Sequence, residues 1–243
     1  MSDLRRYVPT IATIIAVAVC VTAGNWQRTR MHYKQELRGQ YEAARAAAPL
    51  TAAELDGPAG DWKALRYRTV AVQGTFDAPR QILLDNRVHA GHAGYDVIAP
   101  LVLGDGRAVL VDRGWIAQGR TRAELPQVAP PRGSVLVRGR IDIPSSSYVE
   151  LKGEPPGRPV WQHLDVARYA AWSGWSLPPI VVQQTAPAAA NDELVRSWPA
   201  PDFGIDTHRI YMVQWYAFAG IALAFWLVSH WPRLRRIGAR RDA

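Results

Sequence analysis

The chain has 243 residues, a formal charge of +8 and one cysteine. That length holds one domain of ordinary size with room for membrane spans, and a lone cysteine excludes internal disulfides and Cys-x-x-Cys metal sites. Nor does the charge describe a nucleic-acid surface: residues 28–209 carry 22 Lys+Arg against 19 Asp+Glu, so most of the excess lies in the two tails.

Residues 1–6 form a short tail in which Arg5 and Arg6 outweigh Asp3. Residues 7–27 contain no Asp, Glu, Lys or Arg, and residues 211–231 form a second such run. At about 1.5 Å per residue each run reaches about 31 Å, the thickness of a bilayer's hydrocarbon core. Both are read as transmembrane helices. Pro9 is placed in the first helical turn, where its missing N–H costs nothing. Cys20 reads as a small apolar residue within the span. The sequence Gly24-Asn25-Trp26-Gln27-Arg28 offers no small-x-small cleavage site, so the first segment reads as a retained anchor.

Past the first span, Tyr33, Leu37, Tyr41 and Ala44 recur at helical spacing and predict a stalk that Pro49 ends. Thr51 and Glu54 have the spacing of a capping box for a short helix. From residue 66 the period changes to two. Val70, Val72, Gly74 and Phe76 alternate with Ala71, Gln73 and Thr75, which predicts a half-buried strand. Further strands are expected over 82–86, 95–102, 107–115, 134–143 and 179–184. Gly91 and Gly94 mark one turn, and Gly104-Asp105-Gly106 a tight hairpin. Residues 165–173 read as a helix with Asp165 as N-cap and Gly174 just past its end. The Ala- and Pro-rich stretch 185–206 reads as a linker back to the membrane.

The resulting fold class is an α+β membrane protein. Two transmembrane helices flank one antiparallel, β-rich, barrel- or sandwich-like domain built around a single core. The basic C-terminal tail, 232–243, carries Arg233, Arg235, Arg236, Arg240 and Arg241, a signal for a cytoplasmic end. Both termini then lie in the cytoplasm and residues 28–210 form the periplasmic domain with its helical stalk. With no transit peptide ahead of the first span, the expected location is a bacterial inner membrane.

Motifs for nucleophilic, phosphate-binding and zinc-protease chemistry are absent from the sequence, which argues against an enzyme. His89 and His92 sit three apart in a Gly-rich turn, open to a metal or to a purely local role. Arg87, Asp112, Arg113 and Trp115 fall near strand ends, as a hydrogen-bonded rim or as ligand contacts. At 100° per residue His208, Tyr211, Met212 and Trp215 share one face of the second span. His208 is then either an interfacial anchor or a neutral nitrogen offered to a metal, and a haem with its apolar body in the bilayer fits that depth. Trp26, Gln27 and Arg28 end the first span at the same level. Arg28 or Arg30 could pair with a carboxylate there.

Several blocks resemble the Surf1 family of cytochrome c oxidase assembly factors. They are Gly24-Asn25-Trp26-Gln27-Arg28-Thr29-Arg30; Tyr67-Arg68 leading to Gly74-Thr75-Phe76; Asn86-Arg87; Gly94-Tyr95; Ala99-Pro100-Leu101; Val111-Asp112-Arg113-Gly114-Trp115-Ile116; and His208, Tyr211, Gln214 and Trp215. Asp112 and Asp206 stand where Asn is more usual, and Met212 where Ala is typical. The resemblance implies a non-enzymatic factor for biogenesis of a haem-copper oxidase. It would bind haem a and deliver it to, or stabilise it in, the catalytic subunit, with that subunit and haem a synthase as partners. The site residues it suggests are His208, as iron ligand, with Tyr211, Trp215, Trp26 and Arg28. The alternatives are a cofactor-free scaffold for an oxidase intermediate and a membrane-anchored ligand sensor. A copper chaperone is disfavoured, since no cysteine or methionine cluster lies outside the spans.

The topology is testable at once. A periplasm-active reporter fused near Ser146 should be active and the same reporter fused after Ala243 silent; the opposite pattern would refute the orientation.

Overall fold

The computed structural model describes residues 2–56, 61–121, 124–145, 159–187 and 192–238, with backbone alone at 2–6 and 232–238. Ser146 and the arginines of both tails that argue for orientation therefore fall outside the described residues or side chains. Contacts divide the chain into two units, Met1–Gln40 with Pro201–Ala243, and Tyr41–Ala200.

The first unit is a pair of long helices, α1 (Ser2–Ala46) and α3 (Ile205–Gly238). Both are long and apolar enough to cross a membrane. Ile11, Ile14, Val19, Ile221, Phe225 and Val228 are each more than half exposed. A core helix of a water-soluble domain buries such side chains, so this surface fits a membrane protein. Helix α1 begins at Ser2, which puts Pro9 inside the helix rather than in its first turn. It runs on as the expected stalk, although Tyr33 is 49% exposed and only Leu37, Tyr41 and Ala44 turn inward.

Among the less exposed residues, α1 has the series Thr10, Thr13, Val17, Cys20, Gly24 and Gln27, flanked by Ala23, and α3 has His208, Met212, Trp215, Ala219, Ala222 and Trp226, flanked by Tyr216. Both series alternate steps of three and four, the spacing of a coiled-coil seam. Small residues on the α1 side allow close backbone approach.

The second unit is a mixed sheet of seven strands: β1 (Thr69–Phe76), β2 (Ile82–His89), β3 (His92–Leu103), β4 (Ala108–Ala117), β5 (Ser134–Asp142), β6 (Val160–Trp161) and β7 (Val181–Gln184). Their order is β1-β5-β7-β4-β3-β2-β6, and a β1–β3 pairing closes the first five into a barrel. Closure depends on the length of β3. Its early residues pair with β2, its last three with β1, and β4 runs along its other edge. The sheet is largely antiparallel as expected, but β7 pairs parallel to β4 and β6 parallel to β2.

Several sequence expectations meet local detail here. Glu54 accepts the Thr51 N–H at 2.8 Å, the reciprocal half of the capping box. Helix α2 (Val166–Ser173) has Asp165 accepting from Arg168 N, and Gly174 ends it in the left-handed region at φ 80°. Gly106, at φ 85°, makes the β3–β4 turn. The β2–β3 turn is Ala90-Gly91 alone, with His89 opposite His92, so Gly94 lies within β3 instead of in the turn. The two-residue strand β6 escapes sequence reading, and the stretch read as a linker contains Val195, which exchanges both backbone hydrogen bonds with Trp115 at 2.8 Å.

Apolar burial falls into three clusters rather than one core. Val72, Leu101, Val111, Val137, Ile141 and Val182 belong to the barrel interior. Ile82, Ile98, Trp161 and Tyr169 belong to the layer beneath α2. Leu83, Tyr95, Val97 and Leu194 form the third.

Gly94 exposes how tightly β3 and β4 approach. A Cβ there would stand 2.2 Å from the Ile116 carbonyl oxygen and 2.5 Å from the Trp115 ring. Gly94→Val should destabilise the protein by at least the upper end of the usual overpacking cost, about 3 kcal/mol. Gly104→Ala, with nothing within 4 Å, should be near neutral. Chemical denaturation of the two variants checks the contrast.

Candidate functional site

Side-chain hydrogen bonds join α1 and α3 along the seam of the helix pair. Trp226 Nε1 donates to Thr10 Oγ1 at 3.1 Å. Tyr216 OH donates to Asn25 Oδ1 at 2.7 Å. His208 Nδ1 lies 2.7 Å from Gln27 Oε1. The Tyr216 bond depends on Gly24, where a Cβ would meet the Tyr216 ring at 2.6 Å. Only a glycine lets the ring cross the seam to Asn25.

The His208 bond has a chemical consequence. With an amide oxygen as its partner, Nδ1 is the nitrogen that carries the proton, and in the neutral tautomer so fixed Nε2 keeps its lone pair. Among the described residues nothing hydrogen-bonds Nε2. A neutral imidazole, oriented through one nitrogen and open at the other, is the usual form of a metal-binding histidine. Gln27 is itself 9% exposed, so the orienting group is shielded from water. Trp26 meets His208 edge-on, with centroids 6.5 Å apart.

Of the residues singled out from sequence, the structure gathers some and leaves others outside. His208, Met212 and Trp215 share the seam side of α3, and Trp215 packs edge-on against Phe218 at 6.1 Å. Tyr211 is 49% exposed on the flank of that face. Arg28 is exposed and makes no described contact with His208; Arg30 instead holds its guanidinium 5.9 Å from the Trp26 ring centre. Asn25, Tyr216 and Gly24 were not chosen from sequence as site residues, and Gln27 was noted only for its level. The signal was present in the run of small and polar residues at heptad spacing along α1.

The polar residues of β4 form a separate constellation. A register shift sets Ile98 opposite Asp112 and Asp96 opposite Trp115, so β4 has one residue more than β3 between these pairs. Gly114 takes up the bulge at φ 136°. Arg113, 2% exposed, donates to Gln81 Oε1 at 2.6 Å and to the Val128 and Ala129 carbonyls, with its guanidinium 5.5 Å from the Phe76 ring centre. Burial brings its pKa down to about 10. Arg87 pairs with Asp96 at 3.0 Å, and Trp115 Nε1 donates to the Arg87 carbonyl at 3.2 Å. These groups form a hydrogen-bonded wall, much of it buried. The His89 ring lies against Trp115 at 5.3 Å.

The sequence model of the SURF1 family matches residues 14–220. The chain belongs to the SURF1 family, known for cytochrome oxidase assembly factors. It is similar to Surfeit locus protein 1 of Rattus norvegicus, 22% identical over 225 residues that cover 84% of this chain and 69% of the rat protein. The Homo sapiens protein of that name is 23% identical over 235 residues, covering 87% and 75%. Xenopus tropicalis has another at 24% identity over 226 residues, covering 84% and 69%. The matched region takes in both the His208–Gln27 seam and the β4 bulge.

Asp112 is 6% exposed. Burial, then the nearby charge of Asp96, raises its pKa well above the ordinary carboxylate value. A protonated carboxyl offers one donor and one acceptor, the hydrogen-bonding set of a carboxamide. A raised folded-state pKa means the folded protein holds a proton that the unfolded chain has already lost, so the stability this group contributes is full below the unfolded value and falls as pH climbs through the folded one. Asp112→Asn should melt higher than the parent at neutral and alkaline pH, with the gap closing toward pH of about 4. Melting curves across that range check it.

Proposed function

We propose that this protein binds haem a during biogenesis of a haem-copper oxidase and assists its placement in the catalytic subunit. The observation that carries the reading is the His208 side chain, oriented by Gln27 through Nδ1 and open at Nε2. Haem iron takes a neutral imidazole as a ligand, and the group, when bound, would supply the redox and oxygen chemistry of the mature oxidase, with this chain as its carrier. The residues fit that role. His208 would hold the iron, with Met212, Trp215 and the Trp26 edge as apolar or aromatic neighbours of the macrocycle. Arg30, beside Trp26, is better placed than Arg28 to meet a propionate, for which a guanidinium fork is well matched.

The location follows the same reading: an inner membrane, both termini cytoplasmic, and the barrel on the opposite side with access to the oxidase subunit and haem a synthase. No step in this role requires bond making by the protein, in keeping with a family of assembly factors.

The test uses a deletion strain and spectra of protein coexpressed with the haem a synthesis enzymes. Deletion should lower assembled oxidase and its haem content, and the parent gene should restore both. His208→Ala should insert and accumulate normally, because alanine is a good helix former, yet lose the haem absorbance and fail to restore oxidase. Gln27→Leu should retain haem with about 10- to 100-fold weaker affinity, the usual cost of removing a ligand's orienting partner. A His208→Ala variant with an unchanged haem spectrum would refute the ligand assignment and leave the cofactor-free scaffold.

A further inference from the structure

The barrel unit contains a cavity of about 990 Å³, at the upper end of the range for small-molecule sites. It opens against the β4 bulge. Among the described residues three carboxyls line it, Asp96, Asp112 and Asp142, against two guanidiniums, Arg66 and Arg87. Two of the carboxyls are matched: Arg87 reaches Asp96 at 3.0 Å and Arg66 reaches Asp142 at 3.2 Å. Asp112 is not. Its Oδ1 receives only the Gly114 N–H at 3.3 Å, and no donor among the described residues reaches Oδ2. A buried carboxyl without a cation is costly in its charged form, and an incoming cation removes that cost.

The walls say what kind of cation. Trp115 and Trp198 both line the space, and their indole nitrogens are tied to the Arg87 carbonyl at 3.2 Å and the Gln184 carbonyl at 2.7 Å. Fixed aromatic rings beside an unmatched carboxyl favour a cation with an apolar body. A bare metal ion is served less well. Among the described residues no group of three or more His, Cys, Asp or Glu converges for one, since the arginines hold the other two carboxyls apart.

We propose that this cavity is a binding site for an organic cation, a guanidinium or primary ammonium, with Asp112 as its counter-ion. The group could arrive on a free small molecule or on the side chain of a partner peptide; the chemistry is shared. The site lies wholly in the barrel unit and does not rest on the haem reading.

Calorimetry on the full chain in detergent micelles tests it, with n-butylguanidinium and its neutral isostere n-butylurea as probes and empty micelles as the blank. The guanidinium should bind at least about tenfold more tightly than the urea, as expected for a cation meeting a desolvated carboxyl and aromatic rings. Asp112→Asn, which preserves side-chain shape, should abolish that preference while its melting temperature shows the fold intact. Displacement of n-butylguanidinium by acetyl-Gly-Arg-Gly-amide would assign the cation to a peptide side chain; binding of n-butylguanidinium without such displacement would assign it to a free small molecule. Equal affinity for the two probes, no detectable guanidinium binding, or an undiminished preference in Asp112→Asn overturns the proposal.

Discussion

Where two helices with apolar spans pack together, a part-buried side-chain hydrogen bond is partly shielded from competing water. The contact of His208 with Gln27 is governed by that constraint. In water the two side chains would exchange partners freely. At the seam they hold one another, and the imidazole is fixed as a donor toward Gln27 with its Nε2 edge turned away from that bond. Individually such bonds contribute little, about 0.6 kcal/mol on average in membrane helices. Their value here is orientation, and the Tyr216–Asn25 and Trp226–Thr10 bonds repeat it along the seam.

The same rule operates in the barrel by different means. Strand β3 serves two neighbours on one edge, β2 and then β1, while β4 follows it along the other. The bulge at Gly114 permits that path. It also leaves Asp112 lining the cavity, with Arg113 held on the Gln81 side chain and the Val128 and Ala129 carbonyls. Arg113 resolves its burial by donating to three acceptors. For Asp112, burial and the neighbouring charge of Asp96 raise the pKa well above the ordinary carboxylate value, and the one backbone N–H that reaches it offsets only part of that. Adjacent residues in the chain thus meet opposite electrostatic outcomes, set by how many partners each one finds.

The two centres have different chemistry. The seam offers one oriented imidazole with tryptophans nearby. The cavity offers an unmatched carboxyl between two ion pairs.

Sequence alone determined the elements whose cause is local. Charge-free runs of bilayer length defined both helices, period-two alternation located β1, and Asp165 with Gly174 bounded α2, because each depends on neighbours within a few residues. His208 was legible as a candidate for the same reason, as a single polar ring at the start of an apolar helix. Tertiary structure decided what depends on residues far apart. The turn assigned to Gly94 became a strand position because Trp115 and the Ile116 carbonyl close against it. Residues 192–200, read as linker, joined the sheet because Val195 satisfies the backbone of Trp115. The partner of His208 was hidden for the same reason. Gln27 lies 181 positions away in the chain, and only the packing of two heptad seams brings its amide oxygen to the imidazole.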